Sequence, residues 1–142
     1  DAYYDGRTIC IFRLSDVILC KAEIENNLNG PAAALPYLNQ IRARAGAPEY
    51  GKHNRFPAPS TKEAMNDAIL KERGYELVFE FQRRADLIRF GKYEEVVNAH
   101  LKKLGIAQPT NVTSSLRYFP YPLNDAQLNP NLAAENPSRL PK

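Results

Sequence analysis

From residue 14 onward, apolar positions recur with helical spacing. Leu14, Val17, Ile18, Ile24 and Leu28 form one stripe along a helix over about 14–28, the face expected to be buried. Ser15 is placed to cap its start, and Asp16 to oppose the positive end of the helix dipole. Asn29-Gly30-Pro31 then reads as a stop followed at once by a start, with glycine past one helix and proline opening the next. The second helix runs to about Ala45 and buries Ala34, Leu35, Leu38, Ile41 and Ala45, with Gly46 and Pro48 ending it. Pro36 lies late for a first-turn proline and predicts either a kink or a start nearer Ala33. A connection this short makes the two helices an antiparallel hairpin, the unit from which helical solenoids are stacked.

Glu49 to Pro59 is irregular and carries Tyr50, His53 and Phe56. Ser60 and Glu63 match a capping box, predicting one long helix from Thr61 to about Phe90, ended by Gly91. A shorter helix over about 93–104 closes at Gly105. Past Ile106 helical periodicity vanishes, and six of the eleven prolines (109, 120, 122, 130, 137 and 141) fall in 105–142. Leu116, Tyr118, Phe119, Tyr121, Leu123 and Leu128 predict that this segment lies extended over a helical surface. The fold class is therefore mainly α: a TPR-like helical hairpin, a long helix and a Pro-rich irregular C-terminal segment, of the α-α superhelix type. One domain, 1–142, holds a helical part at about 13–104 and an irregular covering segment at about 105–142.

On a straight helix Met65, Ile69, Phe79, Leu87 and Phe90 share one face, with Glu72, Glu76 and Arg83 among them. Leu70, Leu77, Phe81 and Ile88 occupy the other side. Charge interleaved with apolar groups implies a helix packed on both sides, its ions partly desolvated and in need of partners. Glu72, Arg73, Glu76, Glu80, Arg83, Arg84, Asp86 and Arg89 are expected to form a structural ion-pair network. The local spacings offer Glu80 with Arg83 or Arg84, Asp86 with Arg83 or Arg89, and Glu76 with Arg73. Arg42 and Arg44 could join from the second helix. Gly74 in mid-helix marks a close approach or a break.

Composition narrows the function. The 19 basic and 16 acidic side chains divide evenly about Lys71, leaving no basic arm or patch of the kind nucleic-acid binding needs. No apolar run is long enough to span a bilayer. Cys10 and Cys20, some 15 Å apart if on one helix, are expected to stay reduced. An apolar, strand-like run arrives already at Thr8–Phe12, so the chain reads as the C-terminal piece of something longer.

Candidate chemistry is sparse. Glu76 and Glu80 could be the acid and base of a glycosidase, but neighbouring arginines would depress their pKa values where an acid needs a raised one. The same carboxylates as a di-metal centre would need Glu-x-x-His, and His53 and His100 are remote. No catalytic or metal-ligating residue is assigned. Aromatic rings beside polar loops suit the stacking of sugar C–H faces, which makes Tyr50, Phe56 and Tyr121 the candidate ligand contacts.

Four blocks then converge on a family: FRLSDVILCKAE (12–23), ALPYLNQIRARAG (34–46), KERGYELVFEFQRRADLIRFGKY (71–93) and YFPYPLNDAQLNPNLAAENP (118–137). They resemble the C-terminal region of SusD/RagB-type outer-membrane nutrient-binding proteins. The third block is the most specific, though Phe81 stands where the family pattern has glycine, Gly74 where it has a larger residue, and Ser138-Arg139 where Gly-Tyr is usual. The resemblance implies a lipid-anchored helical protein on the outer face of the outer membrane. It also implies that the protein captures oligosaccharides, or in some members peptides, without catalysis or cofactor, for a TonB-dependent, SusC-like transporter. The remaining partner it implies is the N-terminal remainder of the same protein, which would also carry the lipid anchor. A helical-repeat protein-interaction module is the other class that the pattern allows.

Overall fold

The structure is a computed structural model and describes residues 11–105 and 118–135. It is helical: α1 (Leu14–Asn29), α2 (Pro31–Arg44), α3 (Lys62–Glu76), α4 (Arg83–Arg89), α5 (Tyr93–Lys103), α6 (Leu123–Leu128) and α7 (Pro130–Glu135). Among the described residues the only β feature is an isolated bridge, His53 to Phe56. Two compact units divide between Asp86 and Leu87.

In the first unit α1 and α2 form the expected hairpin about the single residue Gly30, and α3 lies against both. Gly30 holds φ +89°, and its N–H closes α1 by bonding the Asn26 carbonyl. The core between the three helices is Leu19 and Ala22 from α1, Ala34, Leu38 and Ile41 from α2, and Met65, Ile69 and Leu70 from α3. Pro36 is accommodated inside α2, which begins at Pro31. Ala45, expected in the core, is exposed beyond the helix end.

Three expectations are corrected here. The face α1 buries is not its apolar stripe: Leu14, Val17, Ile24 and Leu28 are 54–74% exposed, whereas Ser15, Asp16, Leu19, Ala22 and Asn26 face inward. The inward polar groups have partners in the fold, among them the Lys62 carbonyl and Asn66, which accept from Asn26 Nδ2. Helix caps also sit elsewhere than expected. Arg13 rather than Ser15 occupies the α1 N-cap, and Thr61 rather than Ser60 caps α3, its hydroxyl accepting from the Ala64 N–H.

The third correction concerns the long helix, which is two helices. α3 stops at Glu76, and Leu77–Gln82 turn the chain back with Phe79 at φ +65° and Phe81 at φ +60°. A continuous helix would keep residues 73 and 86 about 20 Å apart. Instead Arg73 Nε lies 2.8 Å from Asp86 Oδ2, and Arg83 Nη1 donates to the Leu70 carbonyl at 2.7 Å. The turn also throws Phe79 and Phe81 into solvent, 92% and 95% exposed, while Leu77 and Leu87 are buried. Gly74 is a point of close approach: a Cβ there would come within 2.8 Å of Arg83 Nη1.

In the second unit α5 buries no residue, and α6 and α7 pack on each other with Ala126 buried. The segment expected to be irregular thus contains two short helices within 118–135. Residues 106–117 and 136–142, the rest of the proposed covering segment, lie outside the described residues, as does Cys10.

Candidate functional site

The loop after α2 lines a hollow in the first unit. Gly51, at φ +79°, donates to the Phe56 carbonyl, and Phe56 N–H bonds the His53 carbonyl, so the loop doubles back on itself. Asn39, buried on α2, fixes its start: the amide accepts from the Tyr50 N–H at 2.8 Å and donates to the Tyr50 carbonyl at 2.9 Å. Tyr50 and Phe56 meet edge to face at 5.9 Å, and the Arg42 guanidinium stacks over both rings at 4.6 and 4.8 Å. Such aromatic and cation–π contacts hold the rings in set orientations. A cleft of about 630 Å³ opens beside them, and Tyr50, Arg55, Phe56, Lys71 and Tyr75 are among its lining residues. That size suits a small-molecule or oligomer segment, with rings for flat apolar faces and cations for oxygen groups.

Glu72 and Glu76 also line the cleft, and these and the neighbouring carboxylates are held by arginines from other elements. Arg42 Nη1 meets Glu72 Oε2 at 2.6 Å, both side chains nearly inaccessible, and Arg42 Nε also donates to the Pro48 carbonyl. Arg44 bridges both Glu76 oxygens at 2.6 and 2.7 Å. Arg13 reaches Glu76 at 2.5 Å and Glu80 at 2.6 Å, and also bonds the Glu76 carbonyl and Ser15 Oγ. Arg73, 3% exposed, lies between Asp16 at 2.8 Å and Asp86 at 2.8 Å.

The pairing differs from the local one expected. Arg73 goes to Asp16 and Asp86 rather than Glu76, Glu80 to Arg13 rather than Arg83, and Arg83 to a backbone carbonyl. The break after Glu76 removes the helical spacing between Glu80 and Arg83 or Arg84 and brings Asp86 back to Arg73, whereas Arg73 and Glu76 share α3 yet take partners on other elements. Arg89 stacks on Phe90 at 4.6 Å within the second unit, and Arg84 also has an interaction partner.

Burial alone would raise the Glu76 pKa. Hydrogen bonds from Ser15, Arg13 and Arg44, with the Arg13 charge, outweigh it and hold the carboxyl below the usual glutamate range. Burial also pushes the Cys20 thiol up, although Arg73 pulls the other way. Cys20 is a free thiol and sits within 3.6 Å of Arg73 Nη1. Among the described residues, no cluster of three His, Cys, Asp or Glu side chains is arranged to hold a metal.

Of the aromatic candidates, the fold brings Tyr50 and Phe56 together. Tyr121 belongs to the second unit, where its hydroxyl donates to Glu135. Sequence reasoning missed Asn39, Arg13, Arg55 and Tyr75. Asn39 had a readable signal, since asparagine is a poor mid-helix residue that tends to bond nearby loop backbone.

The arrangement defines a helical-hairpin scaffold with an aromatic cleft and arginine-clamped carboxylates. Residues 1–138 match the SusD family, and the chain belongs to it. It is 39% identical over 120 residues to SusD-like protein P25 of Formosa agariphila, covering 84% of this chain and 22% of that protein. It is 37% identical over 95 residues to SusD-like protein P38 of the same organism, covering 66% of this chain and 19% of that protein. The starch-binding protein SusD of Bacteroides thetaiotaomicron is 28% identical over 134 residues, 93% of this chain and 22% of that protein. The chain thus spans about a fifth of the length of these relatives. No solved structure matches it.

Proposed function

We propose that the chain is part of a non-catalytic, cell-surface protein that captures oligosaccharides for import by a TonB-dependent outer-membrane transporter. A lipid anchor outside this chain would hold the protein to the outer membrane; among the described residues no helix is long and apolar enough to cross one. The observation that carries the reading is the match to the SusD family over residues 1–138. The starch-binding relative supports the ligand class.

The cleft at Tyr50 and Phe56 supports a stacking contact for a sugar ring, with Arg55 and Lys71 beside it for hydroxyl or acidic groups. The glycosidase alternative fares worse on the geometry. Glu76 is pinned by two arginines and held acidic, the wrong condition for a general acid. Glu80 shares the same Arg13 clamp.

Isothermal titration of the full-length protein against a panel of oligosaccharides tests the proposal. Binding to at least one glycan without sugar release is expected, weakened about tenfold by Tyr50→Ala or Phe56→Ala if each ring contributes a stacking contact of ~1.4 kcal/mol. Binding of peptides with no glycan bound would overturn the ligand class. Sugar release abolished by Glu76→Gln would overturn the non-catalytic reading.

A further inference from the structure

The cleft beside Tyr50 and Phe56 adjoins a second hollow of about 500 Å³, and Tyr50, Arg55, Phe56 and Lys71 line both. The charges around them do not cancel. Glu72 is held by Arg42 at 2.6 Å, and Glu76 by Arg44 at 2.6 Å and Arg13 at 2.5 Å. Glu49, just before Tyr50 in the loop, is bridged by Lys52 at 2.7 Å. Asp67 lines the second hollow and has an interaction partner too. Arg55 is placed through its backbone, whose N–H donates to His53 Nδ1 at 3.2 Å. Its guanidinium and the Lys71 ammonium are exposed, and among the described residues neither has an ion-pair partner. The carboxylates that line the two hollows are thus taken, while the two cations common to both hollows are not.

We propose that the oligosaccharide taken here is an acidic one, carrying uronate carboxylates or sulfate esters; this rests on the reading of the protein as a glycan-capturing one. Substituents project from the rim of a sugar ring. A ring stacked on Tyr50 or Phe56 therefore presents them to the cations that share the cleft with those aromatics. A guanidinium grips a carboxylate or sulfate through two parallel N–H···O bonds, and an ammonium adds a point charge. A neutral sugar offers hydroxyls alone, and hydrogen bonds between a cation and a neutral acceptor are the weaker kind. Because both hollows share Arg55 and Lys71, an oligomer lying across them meets the same two charges from either side. Contacts to exposed cations are screened by salt, which gives the preference a signature that ring stacking lacks.

The test is isothermal titration of the full-length protein with oligogalacturonate and a sulfated galactan oligosaccharide, each against its carboxyl-reduced or desulfated form. At low salt at least one acidic oligomer should bind about tenfold tighter than its neutral form, and the arm that does so identifies the anion. The ratio should shrink as salt is raised towards ~0.5 M. Arg55→Gln combined with Lys71→Gln should bring the ratio close to one. Lys52→Gln, which removes a cation that lines neither hollow, should leave the ratio unchanged. Both substituted side chains of the double variant are exposed and unbridged, so its urea midpoint should match that of the parent. Neutral forms bound as tightly as acidic ones would overturn this inference and leave glycan capture standing. An acidic preference undiminished in the double variant would overturn it as well, by placing the anion elsewhere. Absence of binding to every glycan, acidic and neutral, would instead overturn the capture reading on which the inference rests.

Discussion

Phe81 holds a backbone conformation that its own Cβ resists. At φ +60° a residue with a side chain costs roughly 1–2 kcal/mol relative to glycine, and a ring 95% exposed returns little by burial. Phe81→Gly should therefore stabilise the 142-residue chain by about 1 kcal/mol, after the added unfolded-state freedom of glycine is subtracted. Phe81→Ala keeps the Cβ and should gain nothing; urea midpoints of the two variants check the contrast. The family pattern, which has glycine at this position, carried the signal for a positive φ, but on periodicity alone Phe81 reads as one more helical apolar residue. Glu76 supplies a pH prediction of the same scale. Its carboxyl titrates lower in the folded chain than the ~4.3 of an unfolded glutamate, so its stabilisation is full above that value. The contribution is lost as pH falls through the lower, folded value. Urea midpoints followed from neutral pH down to acid should fall more steeply for the native chain than for Glu76→Gln, which lacks the titrating group.

Between elements, the arginines decide orientation. Arg73 on α3 joins Asp16 on α1 to Asp86 on α4, all three buried, and Arg42 on α2 joins Glu72 on α3. Removing one member of a buried set strands the others. Arg73→Met should cost ~3–5 kcal/mol, read as a lowered thermal or urea midpoint. Adding Asp16→Asn and Asp86→Asn to that variant should recover part of the loss, since the stranded charges go with them. A deficit unchanged by the added substitutions would show that lost packing, not stranded charge, sets the cost. That the carboxylates needed buried partners was legible from charges interleaved with apolar positions. Which partners they take was not: the chain breaks between Glu80 and Arg83, and even within α3 Arg73 and Glu76 take partners on other elements, which spacing along one helix does not show. The break after Glu76 has no proline or glycine to announce it, and Gly74 lies inside α3.

Across the whole chain, the helix boundaries marked by glycine and proline were the most legible feature. Gly30-Pro31, Gly91 and Gly105 each fall where a helix stops or the next begins, because positive φ and a missing N–H are local requirements. The side on which α1 is buried was not legible. An apolar stripe says only that a helix wants cover, not that the cover lies in the same stretch of chain, and here the inward face is the mixed one. Burial is also unevenly spread: α1, α2 and α3 contain most of the buried residues, whereas α5 has none and α6–α7 bury Ala126. An 11-residue helix whose side chains are at most half-buried, Tyr93, Val96, Val97, Asn98 and Leu101 among them, is held less firmly than α1–α3, and isolated helices under ~12–15 residues are marginal in water. Amide exchange proceeds through local opening, so it should report this division directly. In the 142-residue chain, amides of Val96–Lys103 and of α6 and α7 should exchange at least ~100-fold faster than those of Leu38–Ile41 and Ile69–Arg73. Mass-spectrometric exchange checks it, and protection equal in the two regions would mean that α5 is stabilised by something other than burial in the described fold.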